Sequence, residues 1–333
     1  MLSFVSSALI VQPDLLEERR RVAGELSRLA DALGDPHWRF MGGLWQFFAA
    51  VDAADIRQVR IATERMREVY DATGQPWMRW MTLLVSASEA QLSGDLEQAE
   101  ALATQAVVTG TEIGEHQALT YFGAQLGAVR FEQRRLEEIV DIIAQRADEN
   151  PGLPLLQALV TFYYSEIGRM QEAAERLDAV AGEGFAGVPY DDFYLQTLTR
   201  YGHVSVRASM PEVSRDLYER LLPYRERLVN SHVTVLGSTE MILGRLAGAI
   251  ARYDVAEQHF AAAADLHERI GGRLLLARTR LHWGEMLVSR GGRGDAERAR
   301  ALLDDAIAGA VALDGAAIEH DARALIARTH ASA

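Results

Sequence analysis

All 34 basic side chains of this 333-residue chain are arginine, and that fact decides most of the chemistry it can carry. Without lysine there is no phosphate-gripping residue for a Walker A loop, no Schiff-base amine and no kinase-type lysine. Cysteine is absent too, which removes disulfides, thiolate nucleophiles and cysteine-held zinc. Nine histidines remain, but no HExxH occurs. His259 and His267 stand eight apart with no carboxylate at a fitting offset, so the histidines read as scattered surface or core residues. No G-x-S-x-G elbow is present, and no Ser-His-Asp set follows from spacing. The expectation is a chain that is not an enzyme, with no catalytic residue, no metal and no cofactor.

Three further constellations read as structure. Gly182-Glu183-Gly184-Phe185-Ala186-Gly187 matches G-x-G-x-x-G, but a helix precedes it and Val188-Pro189 follows. A pyrophosphate cradle needs a strand before and a helix after, so a loop between repeats is expected. Asp191-Asp192 follows Pro189, where carboxylates cap free helix amides. The aromatic groups Trp38, Phe40, Trp45, Phe47 and Phe48, and Tyr190, Phe193 and Tyr194, are expected to fill cores.

Bulk composition narrows the partners. The net charge of −13 argues against non-specific binding of nucleic acid or acidic membrane by the whole surface. No run of eighteen apolar residues exists, so no membrane span is expected. The apolar start, Met1 to Val11, has no basic leader and reads as a strap or partial helix over residues 1–13. A cytoplasmic protein is the expectation.

The elements that must position any site announce themselves by spacing. Gly34, Gly74 and Gly114 stand 40 residues apart, each after a long apolar-periodic stretch, and Gly271 repeats the mark later. A helix stops where a residue can turn left-handed, and a period near 40 marks stacked helical hairpins. A second mark lies inside each step. Gly94 is followed by Ala99, Ala103 and Ala106; Ala251 by Ala256, Phe260 and Ala263; Gly294 by Ala299, Leu303 and Ala306. That 4-then-3 spacing forms one helical stripe, small at its ends for close approach and larger in the middle to fill the gap. The predicted fold is all-α: a right-handed superhelical solenoid of about eight hairpins, essentially without sheet. It runs as one array over 14–333 with a softer joint at 182–190.

The stripe resembles the second helix of a tetratricopeptide repeat, with a step longer than that family's usual 34. Pro76-Trp77, Phe122-Gly123-Ala124-Gln125, Asn150-Pro151-Gly152-Leu153-Pro154 and Leu217-Tyr218-Glu219-Arg220 sharpen the likeness, as does Gly291 to Leu303. Together they resemble the C-terminal helical region of multidomain actinobacterial regulators. In those proteins an AAA-type ATPase joins such a region to a class III nucleotide cyclase or a LuxR-type helix-turn-helix. The resemblance spans roughly residues 14 to 313. The family's ATP and cyclase motifs match no position here.

The resemblance implies a scaffold for protein–protein or interdomain contact in a signalling regulator, with an effector-sensing arm for a small molecule as the alternative. A protein or peptide partner is expected, direct nucleic-acid or membrane binding is not, and a homodimer is open. The first helices of the pairs carry Arg79, Arg130, Arg200, Arg245 and Arg280. A row of guanidiniums there could grip the carboxylates of an acidic peptide. On that reading, Arg200→Ala and Arg245→Ala weaken partner binding without lowering the melting temperature.

Overall fold

Local chemistry sets the helix starts. Pro36, Pro76, Pro154 and Pro211 each open a helix, where the missing N–H has no partner to lose. The carboxylates of Asp35, Asp55 and Asp95 accept from the amides of Trp38, Gln58 and Gln98 at 3.0–3.2 Å, which caps the Pro36 helix and two further starts. The ends follow the sequence marks. Gly34, Gly74, Gly114 and Gly271 all have φ between 64° and 78°, the left-handed geometry that closes a helix.

The turn inside six of the seven pairs is a backbone shape more than a residue type; the pair 273–290/295–311 turns through Gly291 and Gly294 instead. Ala54, Gly94, Arg134, Gly168, Ser209 and Ala251 share φ values of 55–88°. In each case the next amide bonds back to the carbonyl five residues earlier, at 2.8–2.9 Å. One closing motif therefore recurs six times with glycine at only two of its positions. That degeneracy is why the inner mark is faint in the sequence.

The computed structural model describes residues 13–331. The strap expected over 1–13 lies outside the described residues but for Pro13. Among the described residues there are sixteen α-helices and one two-stranded hairpin, divided into two compact units.

The first unit runs to Val129 and also takes in residues 190–192 and 230–235. It holds α1 (Leu16–Leu33), α2 (Pro36–Asp52), α3 (Ile56–Thr73), α4 (Pro76–Ser93), α5 (Leu96–Glu112) and most of α6 (Ala118–Glu132). Neighbours α1/α2, α2/α3 and α4/α5 pack as hairpins. Trp80, Leu84, Ala106, Ala118 and Val233 share one core. The 230–235 segment is pinned by side-chain amides: Gln91 both donates to and accepts from the Val235 backbone at 2.9 Å. Gln125 donates to Leu84 O at 2.9 Å and to Val233 O at 3.1 Å.

The second unit holds the end of α6 from Arg130, then α7 (Val140–Glu149), α8 (Pro154–Glu166), α9 (Met170–Gly182), α10 (Tyr194–Arg207) and α11 (Pro211–Leu221). It continues with α12 (Thr239–Ala249), α13 (Tyr253–Arg269), α14 (Arg273–Arg290), α15 (Asp295–Val311) and α16 (Ala316–Ala331). The pairs α8/α9, α10/α11, α12/α13 and α14/α15 pack side by side, and first helices also touch one another at α8/α10, α10/α12 and α12/α14. The sequence drew a single array with a softer joint at 182–190. Packing draws the division at Val129–Arg130, within α6, and assigns residues 190–192 to the first unit.

All nine stripe residues are buried: Ala99, Ala103, Ala106, Ala256, Phe260, Ala263, Ala299, Leu303 and Ala306. The gap filled by the large middle residue lies against a glycine on the partner helix. A Cβ on Gly244 would come within 2.9 Å of the Phe260 ring, and one on Gly284 within 3.0 Å of Leu303.

The expectation of an all-α fold with essentially no sheet agrees with the structure, which among the described residues adds only one short hairpin. β1 (Leu228–Asn230) and β2 (Val235–Ser238) form a hairpin ahead of α12. Its strands are too short to show period-two alternation, and its turn uses Ser231-His232-Val233-Thr234, with His232 at φ 65°. None of the usual hairpin dipeptides is there to announce it. The loop reading of the glycine-rich stretch agrees with the structure. Gly182 ends α9, no strand precedes it, and irregular chain continues to Phe193. Asp191-Asp192 does not cap α10, whose start has no side-chain cap; the Asp192 carboxylate lies 4.0 Å from His232 in the first unit.

Candidate binding face

In the second unit the first helices present polar side chains at helical spacing and bury most of them; Arg207 is exposed and Glu285 only partly buried. On α10 the set is Gln196, Arg200, His203 and Arg207; on α14 it is Arg278, His282 and Glu285. Offsets of four and three place each set on one face.

One connected cluster draws on five first helices. Glu132, near the end of α6, accepts from Arg278 at 2.5 Å, and both residues are 5% exposed. The Arg278 guanidinium also lies over the Phe131 ring, 4.1 Å from its centre, a favourable placement for a partly desolvated cation. Phe131 meets Phe162 of α8, and Phe162 meets His203 of α10, at ring separations of 5.2 and 5.6 Å. His203 Nδ1 accepts from Arg245 of α12. His203 and His282 rings are 6.0 Å apart, and His282 Nδ1 is 2.8 Å from Glu285. Arg207 donates to Ser165 O at 3.1 Å and lies 3.7 Å from Glu166.

The electrostatics of this cluster balance. Arg207, Arg245 and Arg278 face Glu132, Glu166 and Glu285. Burial, reinforced by Arg245, pushes the His203 imidazole well below its ordinary value, so at neutral pH it is an uncharged acceptor. Burial and Arg245 likewise take His282 down to about 4. Its surroundings penalise charge on Glu285, but His282 and Arg245 outweigh that and hold it at about 2. Burial raises the Glu166 carboxyl against the pull of Arg207, Arg278 and Arg245.

Two other polar groups are structural ties. Tyr218 OH is 3.0 Å from His259 Nε2, His259 Nδ1 bonds to Glu240, and Glu240 accepts from Arg225 at 3.0 Å. The order resembles an acid–base relay, but burial raises the Tyr218 hydroxyl and keeps it protonated. An activated nucleophile needs the opposite shift. His267 is fully buried. Its Nε2 accepts from the Ser238 amide at 2.9 Å and its Nδ1 donates to Thr279 Oγ1 at 2.9 Å. Among the described residues, no group of three or more His, Asp or Glu is placed to hold a metal ion, and no helix is long and apolar enough to cross a membrane.

His267 gives a pH test. Burial lowers its pKa from 6.5 to about 4, so the unfolded chain takes up the proton first. Its contribution is complete above pH 6.5 and is lost as pH falls toward 4, amounting to about 3 kcal/mol over that window. Urea melts between pH 7 and about 4.5 should show stability falling with acidity. His267→Gln should be weaker at neutral pH but show a shallower fall. Parallel profiles for the two proteins exclude the assignment.

The five arginines expected to form a row do not stand alike. Arg79, on α4 in the first unit, is exposed. In the second unit Arg130 is 8% exposed and bonds to Glu138 and Gln133 at 3.0 and 2.9 Å. Arg245 is 7% exposed, and Arg200 8%. Arg280 is half-buried and turns to Asp305, 3.9 Å away on α15. Burial also corrects the expectation of an unchanged melting temperature for Arg245→Ala: truncation there removes the donor to His203 and opens a hole in the core. Sequence reasoning missed Arg278, His203, His282, Glu285, Glu132, Glu166 and Arg207. The signal was the four-and-three spacing of polar residues on α10 and α14, a polar stripe inside an otherwise apolar helix.

No protein-family model matches the chain, and no curated protein matches it.

Proposed function

We propose that the chain is a helical-repeat binding arm of a signalling regulator, with no catalytic step of its own, and that its second unit senses a small effector. The observation that carries this reading is the burial of Arg200, Arg245 and Arg278, each no more than 8% exposed, on successive first helices. A peptide laid along an open groove needs exposed guanidiniums. A small ligand enclosed by a few convergent polar groups needs buried ones. The contacts α8/α10, α10/α12 and α12/α14 join helices that would respond together to such a ligand. The resemblance to the helical region of ATPase-containing regulators supports the regulatory setting.

A second reading, a scaffold for a protein or neighbouring domain, is favoured by Arg79. It stands exposed on α4, and among the described residues no carboxylate pairs with it.

A thermal-shift screen of the full chain against small metabolites, run beside a pull-down with mass spectrometry, separates the two. Sensing predicts a metabolite that raises the melting temperature and whose effect is lost in Arg245→Met. A captured protein released by Arg79→Ala, with no metabolite response, makes the chain a scaffold instead.

A further inference from the structure

Every buried arginine of the second unit but one has an anion at hand. Arg278 has Glu132, Arg130 has Glu138, and Arg245 has Glu285 at 4.0 Å besides its bond to His203. Arg200 has none. It is 8% exposed, and among the described residues its hydrogen bonds run only to its own helix, from Nη1 to the side-chain and main-chain oxygens of Gln196. Its Nε has no partner. The titratable group that acts on it is Tyr163 of α8, whose hydroxyl burial pushes up to about 12, so it is no counter-ion.

Two more polar atoms on the same face share this condition. Gln196 Nε2 and Thr199 Oγ1 are buried without partners, and their residues are 3% and 2% exposed. Residues 199 and 200 fall at i+3 and i+4 from Gln196 on α10, so each neighbours Gln196 on the helix surface, one to either side of it. A buried polar group without a partner costs stability, and a buried unpaired charge costs more. Three together on one helical face mark a place where something outside the chain completes the bonding. The set is a guanidinium N–H, an amide NH2 and a hydroxyl, which are donors carrying one positive charge. A carboxylate supplies planar acceptors and one negative charge. A phosphate dianion would leave a surplus charge in the same buried surroundings.

We propose that Arg200, Gln196 and Thr199 bind the carboxylate of a small organic acid. The inference rests on the sensing reading and names its ligand class.

The test uses the full chain, with acetate, propionate and benzoate as probes against chloride at matched ionic strength. Inorganic phosphate and an acidic peptide serve as separate arms. A monocarboxylate at ten times its Kd should raise the wild-type melting temperature by about 3 °C. Arg200→Met should abolish the rise while melting, in carboxylate-free buffer, at or above wild type. Thr199→Val, which keeps the charge and the shape, should weaken binding several-fold, and it carries the test if Arg200→Met fails to fold. No response to any monocarboxylate overturns the site, as does an equal response in Arg200→Met. A response to phosphate or the acidic peptide alone overturns it too. A metabolite shift that survives Arg200→Met removes this site and leaves the sensing reading standing.

Discussion

Replacing Glu132 by alanine should lower the unfolding free energy by about 4 kcal/mol. The glutamate and Arg278 are each 5% exposed and meet at 2.5 Å. Removing the carboxylate leaves the guanidinium enclosed against Phe131 with no other anion in ion-pair contact among the described residues. Arg278 Nε already lacks a partner, so the site holds no spare acceptor to take over. The cost comes from the stranded charge more than from the lost bond. The double variant Glu132→Leu, Arg278→Met should therefore recover most of the loss, because apolar side chains of similar size replace a buried pair at little net penalty. Urea denaturation of the two variants beside wild type decides the matter. A single-variant loss below about 1 kcal/mol would mean water reaches the pair.

That pair also shows where sequence legibility ends. Glu132 and Arg278 are 146 residues apart, and no local pattern joins them. The repeat boundaries were legible because glycine, the residue a left-handed turn favours, stands at Gly34, Gly74 and Gly114. The inner turns were half legible, since Ala54, Arg134, Ser209 and Ala251 adopt the same geometry without declaring it. The buried stripes were legible because helix-on-helix packing selects residue size at fixed phase. The division into two units was not, because α6 continues through it with no break in helical pattern. As for the candidate site, the arginines were placed on the right helices by spacing. Their burial was not readable, because whether a first-helix side chain meets solvent or another first helix depends on how α8, α10, α12 and α14 lie against one another. His203 and His282 illustrate the same limit: each alone looks like a stray histidine, and only packing sets their rings 6.0 Å apart.

Ala256→Arg should cost 3 kcal/mol or more, and the architecture accounts for the size of that loss. Ala256 is 0% exposed on α13 and belongs to the main core of the second unit. One turn further on, Phe260 lies against Gly244 of α12 so closely that even a methyl group on the glycine would meet the ring at 2.9 Å. The two helices can approach this far only because small residues flank the aromatic. An arginine at 256 must either drive α12 and α13 apart, uncovering Phe260, or fold back with its charge in an apolar interior. Both routes are expensive. The internal control is Ala261→Arg on the same helix. That position is exposed, so the identical change there should stay within about 0.5 kcal/mol of wild type. Thermal and urea melts of the two variants separate a packed stripe from a solvated one. Equal losses at 256 and 261, or none at either, would mean that α13 does not bury this face against α12.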